Sequence, residues 1–102
     1  MVRTEPHRDP ARQEYLVECF WPGVQIADVD KLDRRARVVA RRSRRRGIPV
    51  RYLGSLLVPD DEVVLFEFQA RSADVVAETS AQVGLPFQRV VPAVRPAQEV
   101  LP

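Results

Sequence analysis

The chain predicts an α+β sandwich, a four-stranded antiparallel sheet with two helices on one face, and three observations carry that expectation. Hydrophobic spacing switches along the chain between a period of two and a period of three to four, in the order strand, helix, strand, strand, helix, strand. Each helical stretch ends in Gly, an apolar residue and Pro, followed by strand formers: "GIPV" from 47 and "GLPF" from 84. The composition is that of one small globular domain: 102 residues, 45% hydrophobic and 29% charged, enough for a modest core without disulfides or a structural metal.

Each element follows in order. "EYLVECF" (14–20) is rich in strand formers and too short for a helix, and "WPG" turns the chain. From about Ala27 to Arg46, Val29, Leu32, Ala36, Val39, Ala40 and Ser43 fall within one arc of about 100° on a helical wheel. Asp28, Asp30 and Asp33 lie early and the arginines late, as the helix dipole favours, and Gly47 is a natural stop. "IPVRYLGSLLV" (48–58) reads as the second strand, with Gly54 a bulge or close-packing point. "PDDE" is a turn and "VVLFEFQ" (63–69) its hairpin partner. Ser72 caps a helix over about 73–83 whose buried stripe is Ala73, Val76, Ala77 and Ser80, and Gly84 ends it. "PFQRVVPAV" is the fourth strand, ending near Pro92 or just beyond. Two βαβ halves in this order make a ferredoxin-like βαββαβ sandwich, with right-handed crossovers and strands one and three in the middle. Residues 1–13 read as a polar amino-terminal tail, 14–94 as the folded domain and 95–102 as a carboxyl-terminal tail.

Several function classes are disfavoured. Cys19 is the single cysteine, which excludes a disulfide framework or a cysteine-based zinc site and fits a reducing cytoplasm. No apolar run approaches the roughly 18 residues of a membrane span, and "MVRTEPHRDPARQ" has no signal-like hydrophobic stretch. The expectation is a cytoplasmic protein with no membrane partner. There is no GxSxG, Walker loop, GxGxxG or histidine-bearing metal motif, so no cofactor or metal is expected and no catalytic residue is assigned.

The densest charge is "RRARVVARRSRRRG" (34–47), which holds eight of the sixteen basic residues. On the wheel these arginines spread over roughly 200° left free by the apolar arc. Asp30 and Asp33 lie four residues before Arg34 and Arg37, a spacing that pairs them within the helix, whereas Arg41 to Arg46 have no such partner. The stretch reads first as a solvated amphipathic face whose long stems cover apolar surface. Polyanion or nucleic-acid binding by the Arg41–Arg46 end is the alternative. The sequence disfavours it: net charge is only +2, and no aromatic residue interleaves with the run.

With both helices on one side, the other side of the sheet needs a cover. Tyr15, Val17, Cys19, Val64, Phe66 and Phe68 form the wholly apolar sets and are assigned to the helix side. The opposite face then carries Leu16, Phe20, Val63 and Leu65, with Glu18 and Glu67 among them. That is too apolar for water, and sheet-to-sheet homodimerisation is the simplest remedy. Glu18 and Glu67 read first as partners of arginines from strands or termini, such as Arg51 or Arg89; ligation of a cation or an acid–base pair is the alternative. Arg51 and Tyr52 complete the candidate ligand-binding set, although Tyr15 and Tyr52 read first as strand packing and only second as pocket lining. Cys19 reads as a small buried hydrophobe, Trp21 as cover for a core edge or interface, "DDE" (60–62) as a solvated hairpin and His7 as an inert tail residue.

"YLVECFWPGV", "VRYLGSLLVPDDEVVLFEF", "SADVV" and "GLPFQRVV" resemble a small bacterial domain-of-unknown-function family that includes a nickel-binding protein, over about residues 14–94. The resemblance implies a ferredoxin-like fold, dimeric, with sheets packed face to face as an α/β barrel. The nickel-binding relative is rich in histidine on its first two strands. Here those stretches read "LVECF" and "VRYLGS", without an imidazole, leaving Glu18 and Cys19 as metal-capable side chains and Arg51 to oppose a cation. The expected function is a small ligand-binding or sensory/accessory homodimer with its pocket at the sheet face. A cofactor-free oxygenase or isomerase using Glu18 or Glu67 is the alternative from another class.

Overall fold

The computed structural model describes residues 13–96; the expected tails lie outside the described residues apart from Gln13, Arg95 and Pro96, and so does His7. The elements are β1 (Gln13–Phe20), α1 (Ile26–Arg45), β2 (Arg51–Val58), β3 (Val63–Ala70), α2 (Ala73–Val83) and β4 (Arg89–Ala93). The strands pair antiparallel in the order β2-β3-β1-β4, the ferredoxin-like arrangement, with both helices packed on one face. Among the described residues no helix is long and apolar enough to cross a membrane.

Strict alternation sets the core. Tyr15, Val17 and Cys19 of β1 and Val64, Phe66, Phe68 and Ala70 of β3 are all buried on the helix side. They meet Val29, Ala36 and Ala40 from α1 and Val76 and Val83 from α2. Phe66 and Phe68 are the largest fully buried side chains, each ring contributing about 1.5–3 kcal/mol by burial.

The helix ends explain the repeated Gly-apolar-Pro pattern. Gly47 (φ +86°) and Gly84 (φ +91°) both take the left-handed conformation that glycine adopts at least cost. After α1, Gly47 N–H donates to the Arg44 carbonyl (3.0 Å) and Ile48 N–H to that of Ser43 (2.9 Å). After α2, Gly84 N–H donates to the Ala81 carbonyl (3.1 Å) and Leu85 N–H to that of Ser80 (3.0 Å). Each is a Schellman stop, with Ile48 or Leu85 packed on the core and a proline immediately after to prevent continuation. At its start, α1 reaches back one residue further than its periodicity indicates, because the Asp28 carboxylate accepts the Gln25 N–H (2.9 Å) and faces the positive helix end. Ser72 caps α2 as expected, its hydroxyl accepting from Val75 N–H (3.2 Å).

Several strand boundaries and one stripe differ from expectation. β2 begins at Arg51 rather than 48, since Pro49 offers no N–H to a ladder. β4 begins at Arg89 rather than 86, because Gln88 interrupts it: its side-chain carbonyl takes the Phe20 N–H (2.6 Å) while its own N–H goes to the Glu18 carbonyl (2.9 Å). β1 gains Gln13, opposite Ala70. In α2 the buried stripe is Val76, Thr79, Ser80 and Val83, with Ala73 exposed. Thr79 can face the core because its hydroxyl donates to the Val75 carbonyl at 2.8 Å.

In β2 the register passes from Tyr52 opposite Phe68 to Gly54 opposite Glu67, so Leu53 is the extra residue of a bulge and Gly54 takes φ +133°. The β2–β3 turn is a single 3-10 turn, Pro59–Asp61, followed by Glu62 in the left-handed region (φ 54°). Glu62 ties this turn to the β1–α1 connection: its carbonyl accepts the Trp21 N–H (2.7 Å) and its carboxylate the Gly23 N–H (3.0 Å).

Ser80 is fully buried, and among the described residues its hydroxyl has no hydrogen-bond partner. Desolvating an unpaired hydroxyl costs about 1–3 kcal/mol. Ser80→Ala should therefore raise stability by about 1 kcal/mol in urea denaturation, helped by the better helix propensity of alanine.

Candidate functional site

Register defines what the helix-free face of the sheet displays. Leu16 lies opposite Val91 on one side and Glu67 on the other, and Leu65 lies between Glu18 and Leu56. With Phe20, Val58 and Val63 these side chains form an apolar band across all four strands. Phe20 is 54% and Leu56 62% exposed. The sequence reading placed Leu16, Phe20, Val63 and Leu65 here; pairing adds Leu56, Val58 and Val91.

Glu18 and Glu67 share this face, one on each central strand, but the structure gives each its own arginine. Glu18 lies directly opposite Arg89, whose Nε donates to its carboxylate at 2.6 Å. Glu67 is bonded by Arg95, which also donates to Glu14 at 3.0 Å. The acids brought together are therefore Glu14 and Glu67, both bound by the Arg95 guanidinium. Burial, then Glu14, holds the Glu67 carboxyl above the ordinary range, against the pull of Arg95. For Glu14 burial also pulls upward and is the largest single influence. The bonds from Arg95 and Glu67 together outweigh it and hold that carboxyl below the ordinary range. Of the two carboxyls, Glu67 is the one that takes up a proton first as pH falls.

Neither Glu14 nor Arg95 was singled out from sequence. Glu14 shares the odd-even parity of Leu16 and Glu18, a signal that was present. Arg95 follows the last strand residue, and no spacing rule ties it to Glu67, 28 residues earlier.

Tyr52 lies elsewhere. It faces α1, and its hydroxyl donates to one oxygen of Asp33 while the Ser55 hydroxyl donates to the other at 3.1 Å. The expected Asp33–Arg37 pairing is replaced by this bridge: Asp33 turns toward β2, where two hydroxyls serve both of its oxygens. Arg37 instead donates to the Asp33 backbone carbonyl (3.4 Å) and covers the Tyr52 ring, 5.4 Å from its centroid. Burial and then Asp33 push the Tyr52 hydroxyl far above its ordinary value, so it remains a fixed donor.

Arg51 and Tyr52 line a cleft of about 220 Å³ between α1 and β2, together with Arg37, Arg41, Arg44 and Leu53. The four candidate residues therefore divide, Glu18 and Glu67 on the open sheet face and Arg51 and Tyr52 at this cleft. A second cleft, of about 370 Å³, lies beside Trp21, Leu32 and Pro86 with Asp28 and Lys31 at its edge.

Cys19 faces the helices, fully buried, and burial pushes its thiol up to about 12. Glu18 points to the other side of the sheet, so these two metal-capable side chains do not converge on one ion. Among the described residues no three His, Cys, Asp or Glu side chains gather in a group able to hold a metal.

Tyr52→Phe should cost about 1.5–3 kcal/mol in denaturant unfolding, the range for a hydrogen bond to a charged group, because it leaves Asp33 half-satisfied beneath α1. A raised carboxyl pKa penalises the ionised form in the fold, so Glu67 lowers stability at neutral pH and ceases to do so as pH falls below 4.5. Glu67→Gln should thus raise the melting temperature at neutral pH, and the gain should vanish under acid conditions in a pH series of thermal melts. Comparison with known proteins found no matching family model, no matching curated protein and no matching solved structure.

Proposed function

We propose that the chain is a homodimeric, cytoplasmic small-ligand-binding or accessory module whose two open sheet faces pack together. The observation that carries this reading is the apolar band of Leu16, Phe20, Leu56, Leu65 and Val91, spread over every strand of a face that has no helix above it. Exposed apolar area of this kind marks a surface that another protein or ligand covers. A second copy brings an identical band, and face-to-face packing lets the two bury each other about a twofold axis. The same arrangement is what the family resembled by "VRYLGSLLVPDDEVV" leads one to expect.

Toward the start of β1 the band gives way to Glu14, Glu67 and Arg95, a polar cluster of two carboxylates under one guanidinium. Covered by a partner, it forms the polar end of an otherwise apolar pocket, the combination typical of small-molecule sites. A second reading, cofactor-free acid–base catalysis, draws on the same pair, since a carboxyl raised by burial and by a neighbouring carboxylate is the kind of group that serves as a general acid or base. It requires turnover that Glu67→Gln abolishes, whereas binding alone tolerates an amide there.

Sedimentation velocity over a concentration series decides the association. The intact chain should sediment as a dimer. Leu65→Asp, which sets a charge in the middle of the band, should sediment as a monomer with an unchanged circular dichroism spectrum. A wild-type monomer at every concentration overturns the face-to-face reading.

A further inference from the structure

We infer that the cleft between α1 and β2 is an anion site for the phosphate group of a small phosphorylated ligand. Arg37, Arg41 and Arg44 recur at spacings of four and three, which puts them on one helix face. Arg51 at the start of β2 meets them from the other wall of the same 220 Å³ cleft. Among the described residues none of these four guanidinium groups is paired with a carboxylate; the ion pairs there use Arg89 and Arg95. The nearby carboxylate, Asp33, already has both oxygens engaged by Tyr52 and Ser55.

The cleft is built rather than a chance gathering of surface arginines. Arg44 donates to the Val50 carbonyl at 3.0 Å, and Arg37 is laid over the Tyr52 ring. Two of the four groups are thereby held in place before any ligand arrives, which reduces the entropy lost on binding. Among the described residues no side-chain hydrogen bond or ion pair engages Arg41 or Arg51, and the planar guanidinium matches phosphate oxygens in pairs. The charge is local: α1 carries eight Lys and Arg against three Asp, while the whole chain is only +2.

Size and chemistry favour a small phosphorylated molecule over a nucleic-acid strand. The volume is below the roughly 300–1,000 Å³ of clefts that engulf drug-sized ligands, so it suits a phosphoryl or diphosphoryl head. Tyr52, the aromatic residue at the cleft, is covered by Arg37 and offers no free ring for base stacking. The inference stands independently of how the open sheet face is covered, because none of its residues belongs to the apolar band.

Isothermal titration at low ionic strength tests it, with inorganic phosphate, pyrophosphate and a simple alkyl phosphate as probes. The expected result is saturable binding of one anion per chain. Arg41→Gln and Arg51→Gln should each weaken it about tenfold or more, the loss of a charge-assisted bond. Arg42→Gln removes the same charge outside the cleft and should leave affinity unchanged, and thermal melts confirm that all three variants fold. Equal affinity for inorganic and alkyl phosphate identifies the free ion as the ligand; tighter binding of the ester or of pyrophosphate identifies a phosphorylated metabolite. Absence of saturable heat overturns the inference. So does a single-stranded oligonucleotide that binds more tightly than every phosphate and is weakened equally by Arg42→Gln, since that describes a diffuse polyanion face.

Discussion

In the middle of the sheet β1 and β3 run antiparallel with Tyr15 opposite Phe68, Val17 opposite Phe66 and Cys19 opposite Val64. These three pairs are the floor on which both helices rest. Strand side chains alternate with a period of two, so slippage by one residue would turn a whole strand over. It would bring Glu18 or Glu67 under the helices, where an ionised carboxylate without a partner costs several kcal/mol. The pairing is therefore specified from both sides, by what it buries and by what it keeps out. The open face inherits its order from the same register: Glu18 meets Arg89 because Val17 meets Val90, and Leu56 meets Leu65 because Leu57 meets Val64.

The helices are attached to this floor by different means. α2 rests on Val76, Val83 and Leu85 with two hydroxyl-bearing neighbours, one satisfied within the helix and one not. α1, which is longer and more heavily charged, adds a polar bridge from Asp33 to Tyr52 and Ser55. That bridge fixes the rotation of α1 about its axis and so decides which arginines overhang the edge of β2. Structural support and the cationic cleft are two consequences of one contact.

Much of this was legible in the sequence, and the physical reason differs from element to element. The β1 and β3 faces were readable because every second residue is apolar over the whole strand. Both helix ends were readable because a glycine with positive φ followed by an apolar residue and proline has few other uses. Arg89 was a nameable partner for Glu18 because both lie on predicted strands. The Glu14–Glu67–Arg95 cluster was not readable, since it depends on where the chain goes after its last strand. Asp33 misled for a related reason: the helical spacing to Arg37 is a genuine attraction, but two hydroxyls in a half-buried setting offer more than one exposed guanidinium. Local spacing gives the options open to a side chain, and the neighbouring element chooses among them.

The two outer strands carry features that bear on how copies of the chain can meet. β2 is bent by its bulge at Leu53, and β4 is only five residues long with Pro92 inside it, a residue that has no N–H to offer a neighbour. A bulged edge and a proline-bearing edge are both poor templates for another strand, so the sheet resists growing sideways into a longer one. Lateral growth of that kind has no natural end and leads to fibres, whereas contact across a face closes after two members. The irregularities at the rims thus disfavour the open-ended kind of growth.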